Sequence, residues 1–72
     1  MAIIEKVEIK EDFITLGQFL KLVDLISSGG EVKAFLSENI VLINHEADNR
    51  RGRKLYKNDL IEVASKIYQI CW

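Results

Sequence analysis

Residues 14–39, ITLGQFLKLVDLISSGGEVKAFLSEN, contain the clearest helical pattern in the chain. In its first half, apolar residues recur at helical spacing, and Gln18, Lys21 and Asp24 lie on the opposite, polar side. The recurring apolar residues are Leu16, Phe19, Leu20, Val23 and Ile26. This pattern predicts an amphipathic helix that begins near residue 15.

Start signals mark two helices in this stretch. Thr15 with Gln18 three residues later has the pattern of a capping box, and Ser28 with Glu31 repeats it for a second helix. The apolar side of the second helix is formed by Val32, Phe35 and Leu36. The sequence therefore predicts two short helices separated by a tight turn.

Two glycines, Gly29 and Gly30, fall in the first turn of the second helix. Glycine is less favourable than alanine inside a helix by about 1 kcal/mol. Two explanations stay open: the helices pack too tightly for a side chain, or a ligand approaches the bare backbone. A helix start with free N–H groups is a natural phosphate cradle, and Lys33, one turn further on, is placed to lie over the same anion.

Segments of β-type composition flank the helices. They are IIEKVEIK (residues 3–10), IVLI (40–43), LIEVA (60–64) and KIYQICW (66–72). The last two are predicted to be strands joined near Ser65 and Lys66, although this join lacks the glycine-containing signature of a tight hairpin. Before IVLI, Asn39 stands where a C-terminal helix cap with positive φ is expected.

Composition indicates one folded domain, with 72 residues of which 49% are hydrophobic and 29% charged. The longest apolar run has four residues, whereas a membrane-spanning helix needs about 20. No signal peptide pattern is present. We therefore expect a single cytoplasmic domain over residues 1–72. Cys71, as the single cysteine, excludes an intramolecular disulfide, and its apolar neighbours favour a packing role.

Half of the ten cations lie between residues 50 and 57, here called the basic segment. They are Arg50, Arg51, Arg53, Lys54 and Lys57. Because the net charge is -1, the rest of the chain sums to -6, and this polarity would orient the basic segment toward an anionic partner. A local patch of positive charge binds nucleic acid by releasing counterions, and arginine also engages phosphate and stacks on exposed bases. The segment therefore predicts RNA recognition.

Two further interpretations of the basic segment stay open. Its pattern also fits a solvated loop in which Asp48 and Asp59 form internal ion pairs, each worth about 0 to 1 kcal/mol. Tyr56 is a candidate for base stacking if Leu55 and Tyr56 alternate, one packing on the core and one facing out. The other aromatic residues are predicted to belong to the core or its edge: Phe13, Phe19, Phe35, Tyr68 and Trp72.

Taken together, ITLGQFLK, SGGEVKAFL, VLIN and RRGRKLYKND resemble the small RNA-binding domain named after small-subunit ribosomal protein four, the S-four domain or αL RNA-binding motif. Within that family they look most like the stand-alone bacterial members of the YaaA and YbcJ type. The resemblance covers about residues 14–63, with a strand on either side. It implies an α+β fold in which two helices pack on a small, mainly antiparallel sheet. It also implies a non-catalytic module for structured RNA, rRNA or tRNA, in ribosome assembly or translation.

Departures from the family pattern occur at five positions. Asn39, His45 and Asn58 stand where the family usually has glycine, and Asn and His are among the residues that most readily accept positive φ. Thr15 and Gly29 stand where longer family members tend to carry arginine. The resemblance therefore shifts the expected RNA contacts toward Lys33 and the basic segment.

The predicted RNA-binding surface combines the Ser-Gly-Gly turn with the cations after it. Its residues are Ser28, Gly29, Gly30, Lys33, Arg50, Arg51, Arg53, Lys54 and Lys57. Further candidates are Gln18, Lys21, Asn44 and Tyr56. A solvated helix face explains Gln18 and Lys21 nearly as well, and a turn-forming role explains Asn44 and Asp59 better than a direct contact does.

Catalytic, metal and cofactor chemistry finds no support in the sequence, and the chain is not expected to be an enzyme. Ser28 has no histidine at a recognisable spacing, His45 has no second ligand to share a metal with, and no phosphate-loop or dinucleotide motif occurs. An alternative function is a protein-interaction module that docks an acidic ribosomal or other protein through the basic segment. Duplex DNA is a third candidate partner, although neither helix concentrates base-reading side chains.

Overall fold

The computed structural model describes residues 3–71. Its elements in chain order are β1 (Ile4–Glu8), β2 (Phe13–Thr15), α1 (Leu16–Leu22), a 3₁₀ turn (Gly29–Glu31), α2 (Val32–Glu38), β3 (Leu42–Ile43), β4 (Glu46–Ala47), β5 (Lys54–Tyr56), β6 (Leu60–Val63) and β7 (Lys66–Cys71). Trp72, expected in the core or at its edge, lies outside the described residues, as do both ends of the expected 1–72 domain.

A five-stranded sheet forms one layer, with strand order β1-β7-β6-β3-β4. The pairs β7–β6, β6–β3 and β3–β4 are antiparallel, whereas β1 lies parallel to β7. The α+β class and the mainly antiparallel sheet are therefore confirmed. The turn between β6 and β7 uses positive φ at both Ala64 (53°) and Ser65 (63°). These signs are those of a type I′ turn, which the sequence hides because such turns favour Asn and Gly.

A two-stranded ribbon, β2 paired antiparallel with β5, lies beside the sheet. Residues 54–56 of the basic segment form β5, so the interpretation of the segment as a solvated loop is wrong for this part of it. Leu55 pairs with Ile14 and is fully buried, while its neighbours Lys54 and Tyr56 are exposed. This alternation is the strand pattern, and it confirms that Leu55 packs inward and Tyr56 faces out.

The hydrophobic core lies where the helices meet the sheet. Its fully buried large side chains are Tyr68, Phe19, Leu16, Leu20, Ile43, Leu55, Ile61 and Ile70. Phe19 of α1 packs edge-on against Tyr68 of β7, with ring centroids 5.2 Å apart at an angle of 83°. Edge-to-face aromatic pairs contribute about 0.5–1.5 kcal/mol beyond their burial. This contact fixes α1 on the sheet.

Helix α1 starts as predicted and ends earlier than its apolar spacing suggests. Thr15 and Gln18 form the capping box, with the Thr15 N–H donating to Gln18 Oε1 at 3.0 Å and the Gln18 N–H to Thr15 Oγ1 at 3.3 Å. The helix stops at Leu22 because Asp24 takes a φ of 62°. Ile26 is thus buried from the chain after the helix and not from the helix itself.

The end of α1 has the bonding of a Schellman motif. The Leu25 N–H donates to the Leu20 carbonyl at 3.0 Å, and the Asp24 N–H to the Lys21 carbonyl at 3.2 Å. These bonds satisfy carbonyls that a helix end leaves without a partner. Glycine usually takes the left-handed position of this motif, so Asp24 gave no sequence signal for it.

Of the three residues that stand at glycine positions of the resembled family, two have positive φ and one does not. His45 (φ 72°) and Asn58 (φ 73°) adopt the expected left-handed backbone. The prediction of positive φ at Asn39 is wrong, because its φ is -130°. Asn39 caps α2 through its side chain instead, donating from Nδ2 to the Phe35 carbonyl at 3.0 Å, next to the bond from its own N–H at 2.9 Å.

Within residues 3–71, no helix is long and apolar enough to cross a membrane.

Candidate nucleic-acid interface

The backbone of the basic segment is bound to the start of α1. The Leu16 N–H donates to the Arg53 carbonyl at 2.8 Å, and the Gly17 N–H donates to the Arg51 carbonyl at 2.9 Å. The first N–H groups of a helix have no partner within the helix, so these two bonds satisfy groups that need them. They also fix where the Arg51 and Arg53 side chains start relative to α1.

Asp48 binds two arginines of the segment. Its Oδ1 accepts from Arg50 Nε at 3.1 Å and from the Arg50 N–H at 2.9 Å, and its Oδ2 accepts from Arg50 Nη2 and Arg53 Nη1, both at 2.8 Å. The Asp48 side chain is only 9% exposed, whereas that of Arg50 is 70% exposed. The hydrogen bond from the Arg50 side chain, more than any other contact, holds the pKa of Asp48 well below its usual range, and the same pair raises the pKa of Arg50.

The internal ion pairs considered for this segment are therefore confirmed at Asp48. The Asp59 carboxylate instead bonds to the turns around it. Asp59 Oδ2 accepts the Tyr56 N–H at 2.7 Å, and its Oδ1 accepts from Asn44 Nδ2 at 3.1 Å. Asn44 has a φ of 51°, and its Oδ1 accepts the Leu60 N–H at 3.0 Å. Both polar atoms of the Asn44 amide are engaged inside the protein, which favours the turn-forming role over RNA contact.

A cleft opens between the start of α1, the 3₁₀ turn and the tip of the basic segment, and is called the interhelical cleft here. It is lined by Thr15, Gly17, Gln18, Lys21, Gly29, Val32, Arg51 and Gly52. An adjoining depression is lined by Lys33, Leu36, Ser37, Asn49 and Arg51. Arg51 lines both, so the structure brings Gln18, Lys21, Gly29 and Lys33 around one exposed arginine.

The glycines at the interhelical cleft are not required by packing. A Cβ added to Gly29 or Gly52 would meet no atom within 4 Å, and one added to Gly30 would meet only Ser28 Oγ at 3.9 Å. None of the glycines has positive φ. Of the two explanations for Gly29 and Gly30, tight interhelical packing is therefore excluded. The other explanation, close approach of a ligand to bare backbone, stays a prediction.

The phosphate cradle predicted at Ser28 already faces an anion of the protein. Glu31 Oε2 accepts the N–H groups of Ser27 at 2.6 Å and Ser28 at 2.9 Å and the Ser27 hydroxyl at 2.8 Å. These bonds, that of the Ser27 hydroxyl foremost, lower the pKa of Glu31. The N–H groups of Ser27 and Ser28 are thus taken by Glu31. Gly29 and Gly30, both exposed, are the part of the turn open to a ligand.

The outer face of the β2–β5 ribbon carries two exposed aromatic rings. Phe13 and Tyr56 are cross-strand partners, with ring centroids 5.9 Å apart at an angle of 50°. The Lys54 ammonium lies 4.8 Å from the centre of the Phe13 ring. Phe13 was expected at the core or its edge, but its pairing with exposed Tyr56 places it on the outer face of the ribbon. Lys54 lies on β5 opposite Thr15, one of the residues that line the interhelical cleft, and Lys57 lies in the turn after β5.

Metal binding has no visible basis in the described part of the chain. Residues 3–71 contain no group of three or more His, Cys, Asp or Glu side chains placed to hold a metal ion. The single histidine, His45, lies with its Nδ1 3.5 Å from Glu62 Oε1.

Comparison with known proteins adds two findings. The family model described as S4 domain matches residues 7–71. The chain is also similar to the probable ribosome maturation protein RlbA of Bacillus subtilis (strain 168), with 61% identity over 57 residues. The aligned region covers 79% of this chain and 80% of that protein.

Proposed function

The chain belongs to the S4 domain family, and on that premise we propose that it is a non-catalytic RNA-binding domain with a role in ribosome maturation. The proposed ligand is structured RNA, with rRNA ahead of tRNA because the similar protein is named for ribosome maturation. The proposed domain spans residues 1–72, and α1, the 3₁₀ turn and α2 are proposed to act as the αL motif.

One observation carries this proposal: Arg51 stands exposed between two depressions that also contain Lys21, Lys33 and the bare backbone of Gly29. Three cations around an open backbone suit a phosphate chain, since cationic side chains neutralise it and glycine allows close approach. Arginine also engages phosphate through two parallel hydrogen bonds. The remaining candidates Ser28 and Gly30 border this surface.

Arg50 and Arg53 are proposed to contribute to RNA binding as cations whose side chains are already fixed by Asp48. Asp48 fixes both guanidinium groups through hydrogen bonds of 2.8–3.1 Å. A guanidinium that is already ordered loses less conformational entropy when it binds. Because Arg50 remains 70% exposed, its free edge is open to a phosphate. Lys54 on β5 and Lys57 in the turn after it extend the positive charge, and Gln18 lines the cleft, where it can form a hydrogen bond to a sugar or base.

The salt dependence of RNA affinity tests the proposal. Each neutralised phosphate contributes roughly -0.7 to -0.9 to the slope of log affinity against log salt, so about four contacts give a slope of roughly -3. The double variant Arg51→Ala/Lys33→Ala should reduce the slope by roughly 2. The matched control Lys6→Ala/Lys66→Ala removes two exposed cations from β1 and β7 and should leave the slope unchanged.

Crosslinking to RNA in living cells, followed by sequencing, identifies the target. We expect enrichment of one rRNA region by the wild-type protein and by the control, and its loss in Arg51→Ala/Lys33→Ala. An unchanged salt slope in that variant would refute the assignment of the site. Recovery of an acidic protein, without any RNA above background, would show that the partner is a protein and not RNA.

A further inference from the structure

The two-stranded ribbon exposes aromatic surface that the core does not use. Phe13 is 36% exposed and Tyr56 49% exposed, and their rings touch across the two strands. Their strand neighbours Ile14 and Leu55 point the other way, with Leu55 fully buried. A pair of adjacent exposed rings on a small domain is more typical of a binding surface than of scattered surface residues.

A cation beside these rings indicates the charge of the partner. Lys54 lies in the register position opposite Thr15, and its ammonium stands 4.8 Å from the centre of the Phe13 ring. This is the distance of a cation–π contact, which keeps the long side chain close to the aromatic pair. A ligand that covers the rings therefore meets a positive charge at their edge. An apolar peptide would leave that charge without a partner, whereas a nucleotide brings a base and a phosphate together.

The ribbon face is continuous with the interhelical cleft. Side chains two positions apart on a strand share a face and lie about 7 Å apart, so Phe13 and Thr15 are on the same side of β2. Thr15 lines the cleft together with Arg51. A chain of nucleotides bound at Arg51 can thus reach the aromatic rings without leaving the protein surface.

We propose that Phe13, Lys54 and Tyr56 form an aromatic platform that stacks an unpaired base of the RNA bound at the cleft. Tyr56 supplies the stacking face, since the Lys54 ammonium stands over the Phe13 ring. Phe13 positions Tyr56 and Lys54, and Lys54 neutralises the phosphate next to the stacked base. The RNA expected to bind this surface is therefore a paired segment with an unpaired nucleotide beside it. This inference rests on the proposed function and narrows its substrate.

Two RNA hairpins test the platform. They have the same stem, and one carries a single bulged 2-aminopurine, a base whose fluorescence falls when it stacks. Wild-type protein should bind the bulged hairpin more tightly and quench its fluorescence. Tyr56→Leu keeps an apolar side chain on β5 but removes the flat ring, and should weaken binding to the bulged hairpin by roughly 5- to 150-fold, the range for one base–aromatic stack. Tyr56→Phe should retain both affinity and quenching.

The fully paired hairpin separates the platform from the rest of the surface. Its affinity should change less than twofold in Tyr56→Leu, because phosphate contacts at Arg51 are intact. Equal wild-type affinity for both hairpins, with no quenching, would overturn the platform and leave the proposed function standing. Absence of wild-type binding to either hairpin at low salt would overturn both. The wild-type quenching measurement decides even if Tyr56→Leu does not fold.

Discussion

Replacing Asp48 by asparagine should destabilise the domain, although the substitution removes only one charge from its surface. The side chain is 9% exposed and accepts four hydrogen bonds, three from guanidinium groups and one from the Arg50 N–H. Asparagine retains one oxygen for the Arg50 bonds. Its NH₂ group, however, faces the donors Arg50 Nη2 and Arg53 Nη1 and can accept neither.

The size of the effect follows from the exposure of the two arginines. A hydrogen bond to a charged group is worth about 1.5–3 kcal/mol, and an exposed pair only about 0–1 kcal/mol. Arg50 is 70% exposed and is rehydrated readily, whereas Arg53 is 29% exposed and loses more. We expect a total loss of about 2 kcal/mol in the free energy of unfolding. At about 4–8 °C per kcal/mol for a domain of this size, the Tm should fall by roughly 8–16 °C.

The loss should depend on pH in one direction. The pKa of Asp48 is lowered in the folded protein, while an aspartate in an unfolded chain titrates near about 3.9. The stabilisation is therefore complete above about pH 5 and is lost as the pH falls through the folded pKa. The difference between wild type and Asp48→Asn should be full at pH 7 and smaller at pH 3.

Thermal unfolding followed by circular dichroism at both pH values measures this difference. Glu46→Gln is the matched control, since it neutralises an exposed acid two residues earlier and should shift the Tm little. A Tm change for Asp48→Asn no larger than that of Glu46→Gln at pH 7 would refute the structural role of the Asp48 bonds. A difference that persists undiminished at pH 3 would refute the role of the ionised carboxylate.

Three further variants give distinct expectations. Gly29→Ala should leave the free energy of unfolding unchanged or raise it by up to about 1 kcal/mol, because a Cβ at this position meets nothing within 4 Å. The same variant should bind RNA more weakly in an anisotropy titration. Unchanged RNA affinity would show that the Gly29 backbone is not part of the interface. Leu55→Ala should cost about 2–5 kcal/mol in urea unfolding because Leu55 is fully buried, and a loss below about 1 kcal/mol would show that the basic segment is not part of the core. Ala64→Asn with Ser65→Gly should raise the Tm by relieving two residues of positive φ, at about 1 kcal/mol each, and a lower Tm would contradict this.

The helices were predictable where their signals are local. Thr15 and Gln18 announce the start of α1 through a capping box that involves only residues three apart. The end of α1 was not predictable, because Val23 and Ile26 continue the apolar spacing while Asp24 turns the chain. Strand β5 was not predictable as a strand, because Leu55 is surrounded by charged residues. Its burial depends on the pairing of Leu55 with Ile14, which is distant in sequence.

The candidate site was predictable in composition and not in arrangement. Charge density alone selected Arg51, but its place at the cleft depends on the bond between its carbonyl and the Gly17 N–H, 34 positions earlier in the chain. The three side-chain bonds that hold Arg50 and Arg53 on Asp48 depend equally on how the segment folds back. Composition could not show that the Arg50 and Arg53 side chains are bound to Asp48 while Arg51 is exposed at the cleft.

The parallel pairing of β1 with β7 sets when the domain can complete its fold. Ile4 lies opposite Ile67, 63 positions later in the chain, so this contact closes one of the longest loops available. Contacts between residues so distant in sequence slow folding, whereas the helical region can form early from local contacts. During synthesis β1 is made first and waits without its partner strand until residues 66–71 have emerged. The pairing of β1 with β7 can therefore form only after residues 66–71 have been translated.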